Sequence, residues 1–322
     1  MNKPPADGIR IDSEALRKLI YDIFIAVPVS EEHASIIAEL MIDTDLRGVV
    51  SHGVMQTKRY YSDFRSSATN TNPNIRILRE AASTVALNGD GGLGYISGHQ
   101  AMTMAIAKAR NTGIGAATTT YHEHIGSAGK YVRMAMRENM IGFCFSGRSP
   151  RRFDPAAMVN SSADSAPMAF GIPAGSDHPD LLVDSCSNIA FDEEMFVKNP
   201  EIYFRCVGYS HMANIMSGSL GGQMREVDPK TVRYPTANQS GFYLAIAVEN
   251  FVPVDDFTND MNGLMDSVAH MQPYPGLDTA QLPGGPEFDC EQAYRRGGVP
   301  VCLEAQRNLE QIAAEVGLQV PW

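Results

Sequence analysis

Apolar residues in the first part of the chain repeat at the three- and four-residue spacing of helices, and from residue 75 they fall into shorter runs. Residues 11–25 place Leu16, Leu19, Ile20 and Ile23 on one helical face, with Asp12 or Ser13 set to cap it. Val27-Pro28-Val29 interrupts that pattern. Ser30 then caps a second helix with Glu31 and Glu32 in its first turn, where the helix dipole favours negative charge. Its apolar face is Ile36, Ile37, Leu40 and Met41. Residues 43–53 end this helix in a polar, glycine-bearing turn, residues 54–64 read as a third helix, and residues 66–73 as a linker.

Strands are expected at 75–78 and 83–87, a glycine turn at 88–92, a helix at 98–109 and a buried strand at 113–120. A helix at 128–138 and a strand at 140–146 follow, then strands within 161–173, at 181–185 and at 241–248. Helices are expected at 259–270, 289–296 and 304–316, with a short strand at 299–301. Helices at both ends and strands in the middle predict an α+β or mixed α/β chain with a central sheet domain.

The chain has 322 residues, 44% of them hydrophobic, enough for a sizeable core. Its formal net charge is -11, and no basic stripe with interleaved aromatics is visible, which argues against a nucleic-acid partner. The five cysteines form no C-x-x-C pair, so neither a zinc ribbon nor a disulfide framework is expected, and scattered thiols suit a reducing compartment. The first residues hold no signal-like apolar run, and nowhere do 18 apolar residues follow one another. The expectation is a soluble cytoplasmic protein without a membrane partner.

Gly89-Asp90-Gly91-Gly92-Leu93-Gly94 matches G-x-G-x-x-G between a predicted strand and a predicted helix. No carboxylate closes a strand about 20 residues on, so we read these glycines as permitting tight packing, not phosphate binding. His52, in Ser51-His52-Gly53, can pass a proton to a carbonyl or imine, although a histidine in a turn is more often a plain polar loop residue. His122 and His124 flank Glu123 as two conceivable metal ligands, but no third ligand stands at a diagnostic spacing, and no metal is expected. His124-Ile125-Gly126-Ser127-Ala128-Gly129 leads into a helix and is the better anion site. Asp192-Glu193-Glu194 reads by composition as a solvated loop, and His211 as a helix-start residue.

Taken in order, several stretches resemble the malate/L-lactate dehydrogenase family. They are Asp45-Leu46-Arg47-Gly48 with Ser51-His52-Gly53, residues 88–94 and residues 124–131. Weaker ones are Ser165-Ala166-Pro167, residues 184–190, Gly208-Tyr209 and Leu282-Pro283-Gly284 with Glu287. The resemblance implies a non-Rossmann, mixed α/β fold. In it a mainly antiparallel central sheet domain (75–254), which binds cofactor and substrate, is flanked by helical segments (1–74 and 255–322) that form one domain. It further implies a homodimer that uses NADPH or NADH to reduce a small 2-oxo acid or cyclic 2-imino acid. By the same resemblance His52 is the proton donor, with Ser51 and Glu194 in its relay. His124, Gly126, Ser127, Ala128, Asp184, Ser185 and Cys186 would meet the cofactor, and Arg47, Gln56 and Ser165 the substrate.

The chain also departs from the family's pattern. Gln56 stands where an arginine usually holds the substrate carboxylate, and a neutral amide does not replace a guanidinium fork. Val207 replaces a phosphate-contacting lysine, Ser165 replaces a threonine, and roughly 25–30 residues are missing between Asp184 and Gly208 by family spacing. These departures keep a second reading open: a redox-silent lyase, isomerase or cyclase that retains proton transfer at His52.

Overall fold

The structure, a computed structural model, describes residues 4–148, 166–186, 197–222, 232–276 and 278–322. In chain order the elements are β1 (Ile9–Ile11), α1 (Ser13–Ile25), α2 (Glu31–Leu46), α3 (Thr57–Arg65), β2 (Arg76–Glu80), β3 (Thr84–Asn88), α4 (Gly94–Thr112) and β4 (Ile114–His122). They continue with α5 (Gly129–Met136), β5 (Met140–Gly147), β6 (Pro167–Ile172), β7 (Leu181–Cys186) and α6 (Pro200–Asn214). The last are β8 (Gln239–Ala247), α7 (Val254–Ala269), α8 (Gly285–Gly297), β9 (Val299–Val301) and α9 (Leu303–Val316). The chain divides into two compact units. One comprises residues 1–73, 173–182 and 254–322, the other residues 74–172 and 183–253.

The first unit is mainly helical. Asp12 caps α1 by accepting the N–H groups of Glu14 and Ala15, both at 3.0 Å, and Ser30 caps α2 through His33 N–H. Of the faces read from the sequence, Ile36 of α2 is half-buried and the rest is buried: Leu16, Ile20 and Ile23 of α1 and Ile37 and Met41 of α2 fully so, with Phe24 beside them. Each contributes about 1.5–3 kcal/mol through burial. Phe24 meets Phe64 of α3 edge to face at 5.8 Å. A two-stranded antiparallel ribbon, Ile9 opposite Val301 and Ile11 opposite Val299, ties the two ends of this unit together. Two differences from the expected pattern bear on the site. Helix α2 does not stop near residue 43 but runs to Leu46, burying Asp43, Thr44 and Asp45 in its last turn. His211 lies in the last turn of α6, not at a helix start, with Nδ1 2.7 Å from Val207 O.

The second unit is built on the seven-stranded sheet, in the order β2-β3-β4-β8-β5-β6-β7. β3 and β4 are parallel, joined through α4, while β2–β3, β4–β8, β8–β5 and β5–β6 are antiparallel. The sheet is therefore mainly antiparallel, and it lacks the two mononucleotide halves of a doubly wound fold. Phe145 stacks on Phe242 at 5.9 Å and meets Phe170 edge on, forming an aromatic layer with Met168 and Ala213. The glycine motif sits between β3 and α4. Its N–H groups are already used: Gly89 donates to Thr120 O, Gly91 to Tyr121 O and Gly94 to His124 O, at 2.8–3.1 Å. A phosphate would find these donors taken, so the motif is a packing turn.

Candidate active site

His52 sits at the end of a single 3-10 turn, Val50–His52, followed after Gly53 by a second, Val54–Gln56. His52 is half-buried and Ser51 exposed. Ser51 Oγ lies 2.8 Å from His52 Nδ1, the pairing expected of a proton donor and its neighbour. The Gln56 amide nitrogen is engaged within the turn. Nε2 donates to Ser51 O at 2.7 Å, so this side chain braces the turn from its C-terminal side. From beneath, Asp45 Oδ2 accepts Val54 N–H at 2.7 Å. Asp45 is 2% exposed, and burial pushes its pKa up to about 8, only partly offset by that hydrogen bond.

Arg47, expected at the substrate, is engaged by other groups of the protein. The guanidinium is 6% exposed, Nη2 donates to Gly284 O at 3.1 Å, and Nη1 reaches Glu291 Oε2 at 3.3 Å. The side chain clamps α2 to α8 within the helical unit. Ser165 and Glu194, the other substrate and relay expectations, lie outside the described residues.

In the second unit the loop before α5 holds His124, Gly126, Ser127 and Ala128. His124 is half-buried and the other three buried, and Ala128 is the residue from which α5 starts. Gly126 has φ 72°, and a Cβ there would lie 2.1 Å from Lys130 Nζ and 2.4 Å from Tyr95 OH. No other residue fits. Lys130 is 2% exposed, with Nζ 3.5 Å from the centroid of the Tyr95 ring, a buried cation–π contact behind the loop. Tyr131 OH donates to Ile125 O at 2.8 Å and fixes the loop's other side. Asp184, at the end of β7, accepts Gly129 N–H through Oδ2 at 2.9 Å, an acid on the first turn of α5. Ser185 and Cys186 beside it are exposed.

His122 is fully buried and engaged on both ring nitrogens, by Thr119 Oγ1 at 2.8 Å and Glu123 O at 2.7 Å. A carbonyl only accepts, so Nδ1 carries the proton and Nε2 receives the threonine hydroxyl's. Neither nitrogen is open to a metal, and among the described residues no three potential ligands cluster. Burial lowers the His122 pKa from 6.5 to about 4. Between those values the unfolded chain takes up a proton that the folded one refuses. Stability is therefore complete above about pH 6.5 and falls as pH drops toward 4, by about 3 kcal/mol for this group. Melting temperature followed from pH 7 to pH 4 should decline less steeply in His122→Gln than in the native protein.

Residues 11–198 match the malate/L-lactate dehydrogenase family. The chain belongs to that family. A malate/(S)-sulfolactate dehydrogenase of Methanothermus fervidus is 39% identical, with 97% of this chain and 99% of that protein aligned. A malate dehydrogenase of Pyrococcus horikoshii is 28% identical, with 97% and 96% aligned. A solved structure of malate dehydrogenase from that organism superposes with a TM-score of 0.83 at 26% identity, covering 99% of this chain and 98% of the other. The alignment with the Pyrococcus protein spans 349 positions against 322 residues here, so that relative carries at least 27 residues without a counterpart. As a malate/L-lactate dehydrogenase family member, the chain is a dehydrogenase of the hydroxy/oxo acid class. Among its described residues no helix is long and apolar enough to cross a membrane.

Two residues that matter to this family member's geometry, Asp45 and Lys130, lie in stretches that carry the resemblance but have no role assigned from the sequence. Both oppose the helix dipole, an acid in the last turn of α2 and a lysine in the first turn of α5. A charge at the wrong end of a helix was the available signal.

Proposed function

We propose that this chain reduces a small 2-oxo acid with NADPH or NADH, and that His52 donates the proton. The observation that carries the reading is the Ser51–His52 pair at 2.8 Å, held from both sides by Gln56 and Asp45. In this reading the ring delivers its proton from Nε2 to the carbonyl oxygen, and Ser51, on Nδ1, steadies the ring as its charge changes. The dinucleotide, when bound, supplies the hydride. The residues of the 124–128 loop fit its anionic part: a glycine that leaves no room for a Cβ and a buried ammonium directly behind it. Gly126, Ser127 and Ala128 would hold the phosphates. Relatives named for malate and for sulfolactate favour a 2-oxo acid with a second anionic group, and a cyclic 2-imino acid presents the same acceptor chemistry at C=N. Homodimer formation belongs to the same proposal. The exposed Phe204, Tyr209 and Leu220 on and after α6 are apolar surface that a second copy would cover.

The Asp184 carboxylate on Gly129 N–H favours the second reading, because a phosphate at that helix start would meet an acid. In that reading the chain performs proton transfer at His52 without hydride, as a lyase, isomerase or cyclase. Calorimetric titration of the folded protein with NADPH and with NADH separates the two. Micromolar binding of either is the expected result, while heats indistinguishable from dilution for both would leave only the redox-silent reading.

A further inference from the structure

We infer that Asp45 is the positioning residue of His52, acting through the hydrogen bond it accepts beneath the turn that carries the histidine. The inference rests on the reading of His52 as proton donor. Asp45 lies in the last turn of α2, buried, and its Oδ2 accepts the N–H of Val54, nine residues further on. A Cβ placed on Gly53 would lie 1.9 Å from Asp45 Oδ1 and 2.3 Å from Oδ2. The carboxyl group is thus packed against the backbone of the residue that follows His52, and only glycine allows so close an approach. One acidic group therefore accepts Val54 N–H and lies against the backbone of Gly53. Gln56 holds the opposite end of the same turn through Ser51 O. Between these two anchors the backbone of His52 has little freedom, which fixes the direction in which its ring leaves the chain.

A plain core role explains this arrangement poorly. An acid at a helix C-terminus meets the negative end of the dipole, and no salt bridge to Asp45 exists among the described residues. Burial raises the carboxyl's pKa to about 8, which favours the protonated form near neutral pH. A neutral carboxyl and a carboxamide have the same shape and the same acceptor oxygen, so the inference makes a specific demand: asparagine should substitute, and alanine should not.

The test measures kcat and KM on the full chain with NADH or NADPH and oxaloacetate, together with the NMR resonances of the His52 ring. Asp45→Ala should lower kcat at least tenfold with KM within threefold, and should move the His52 ring resonances, because a small misplacement of a catalytic group costs on the order of 10²-fold. Asp45→Asn should rescue most of that loss and restore the resonances. Should Asp45→Ala fail to fold, Gly53→Ala decides, since it pushes a methyl into the carboxyl group without removing any functional side chain; it too should lower kcat at least tenfold. A folded Asp45→Ala with kcat within twofold of the native enzyme overturns the inference. So does an Asp45→Asn as impaired as the alanine variant, or a Gly53→Ala with native kcat. If His52→Ala itself turns over normally, the function reading is what fails, and the ring resonances still report whether Asp45 holds the turn.

Discussion

His52→Ala lowers kcat by about 10²-fold or more while the protein keeps its melting temperature. The magnitude follows from general acid catalysis, which contributes typically 10²–10⁴-fold when a positioned side chain delivers a proton in the transition state. The structural cost is small because His52 is only half-buried at the end of a 3-10 turn. That turn is held by backbone bonds, by Gln56 and by Asp45, none of which uses the imidazole. Steady-state kinetics with oxaloacetate and saturating dinucleotide, beside a thermal melt of the same sample, gives the comparison. Ser51→Ala should lose less, since the serine acts on the ring, with Oγ 2.8 Å from His52 Nδ1, and the imidazole that donates the proton remains. Turnover of His52→Ala within a few fold of native would remove the proton donor from the mechanism.

Arg47→Ala destabilises the protein by about 3 kcal/mol and leaves kcat and KM near native at temperatures where the variant is folded. Removing one member of a buried ion pair typically costs 3–5 kcal/mol, because its partner is left charged in a poor solvent. The lower end applies here, since Glu291 keeps Arg295, whose Nη2 lies 2.7 Å from its other carboxylate oxygen. Gly284 O also loses its guanidinium donor. Urea titration followed by circular dichroism measures the loss directly. The opposite pattern, native stability with a KM raised many-fold, would return Arg47 to the substrate site that the sequence assigned it.

The sequence was most legible where local chemistry decides the structure. Asp12 and Ser30 announce helix starts, and the apolar faces of α1 and α2 are the buried ones but for half-buried Ile36. It was least legible where a distant partner decides. β1 is three residues long and gains its ladder only from β9. The sequence places a helix start at His211, whereas α6 begins at Pro200: its aromatic and β-branched residues form no clear apolar face and several, Ile202 and Phe204 among them, are exposed. The end of α2 was set too early because its last turn buries Asp43 and Asp45, residue types that ordinarily signal a helix's end. In the candidate site the residue types were readable and their partners were not. Arg47 has the chemistry of carboxylate recognition, yet its guanidinium meets Gly284 O and Glu291, and the Gln56 amide meets Ser51 O.

The ribbon of Ile9–Ile11 with Val299–Val301 sets an order for assembly on the ribosome. Arg10 Nη1 reaches Gly298 O across 288 positions of sequence. At about 5–20 residues per second, the first strand leaves the exit tunnel on the order of 15–60 s before its partner. Throughout that interval the nascent helical unit holds an unpaired strand edge, and Arg47 waits for Glu291. The sheet strands, all encoded upstream of residue 248, can meanwhile pair. The unit that carries His52 is consequently the last to close during synthesis.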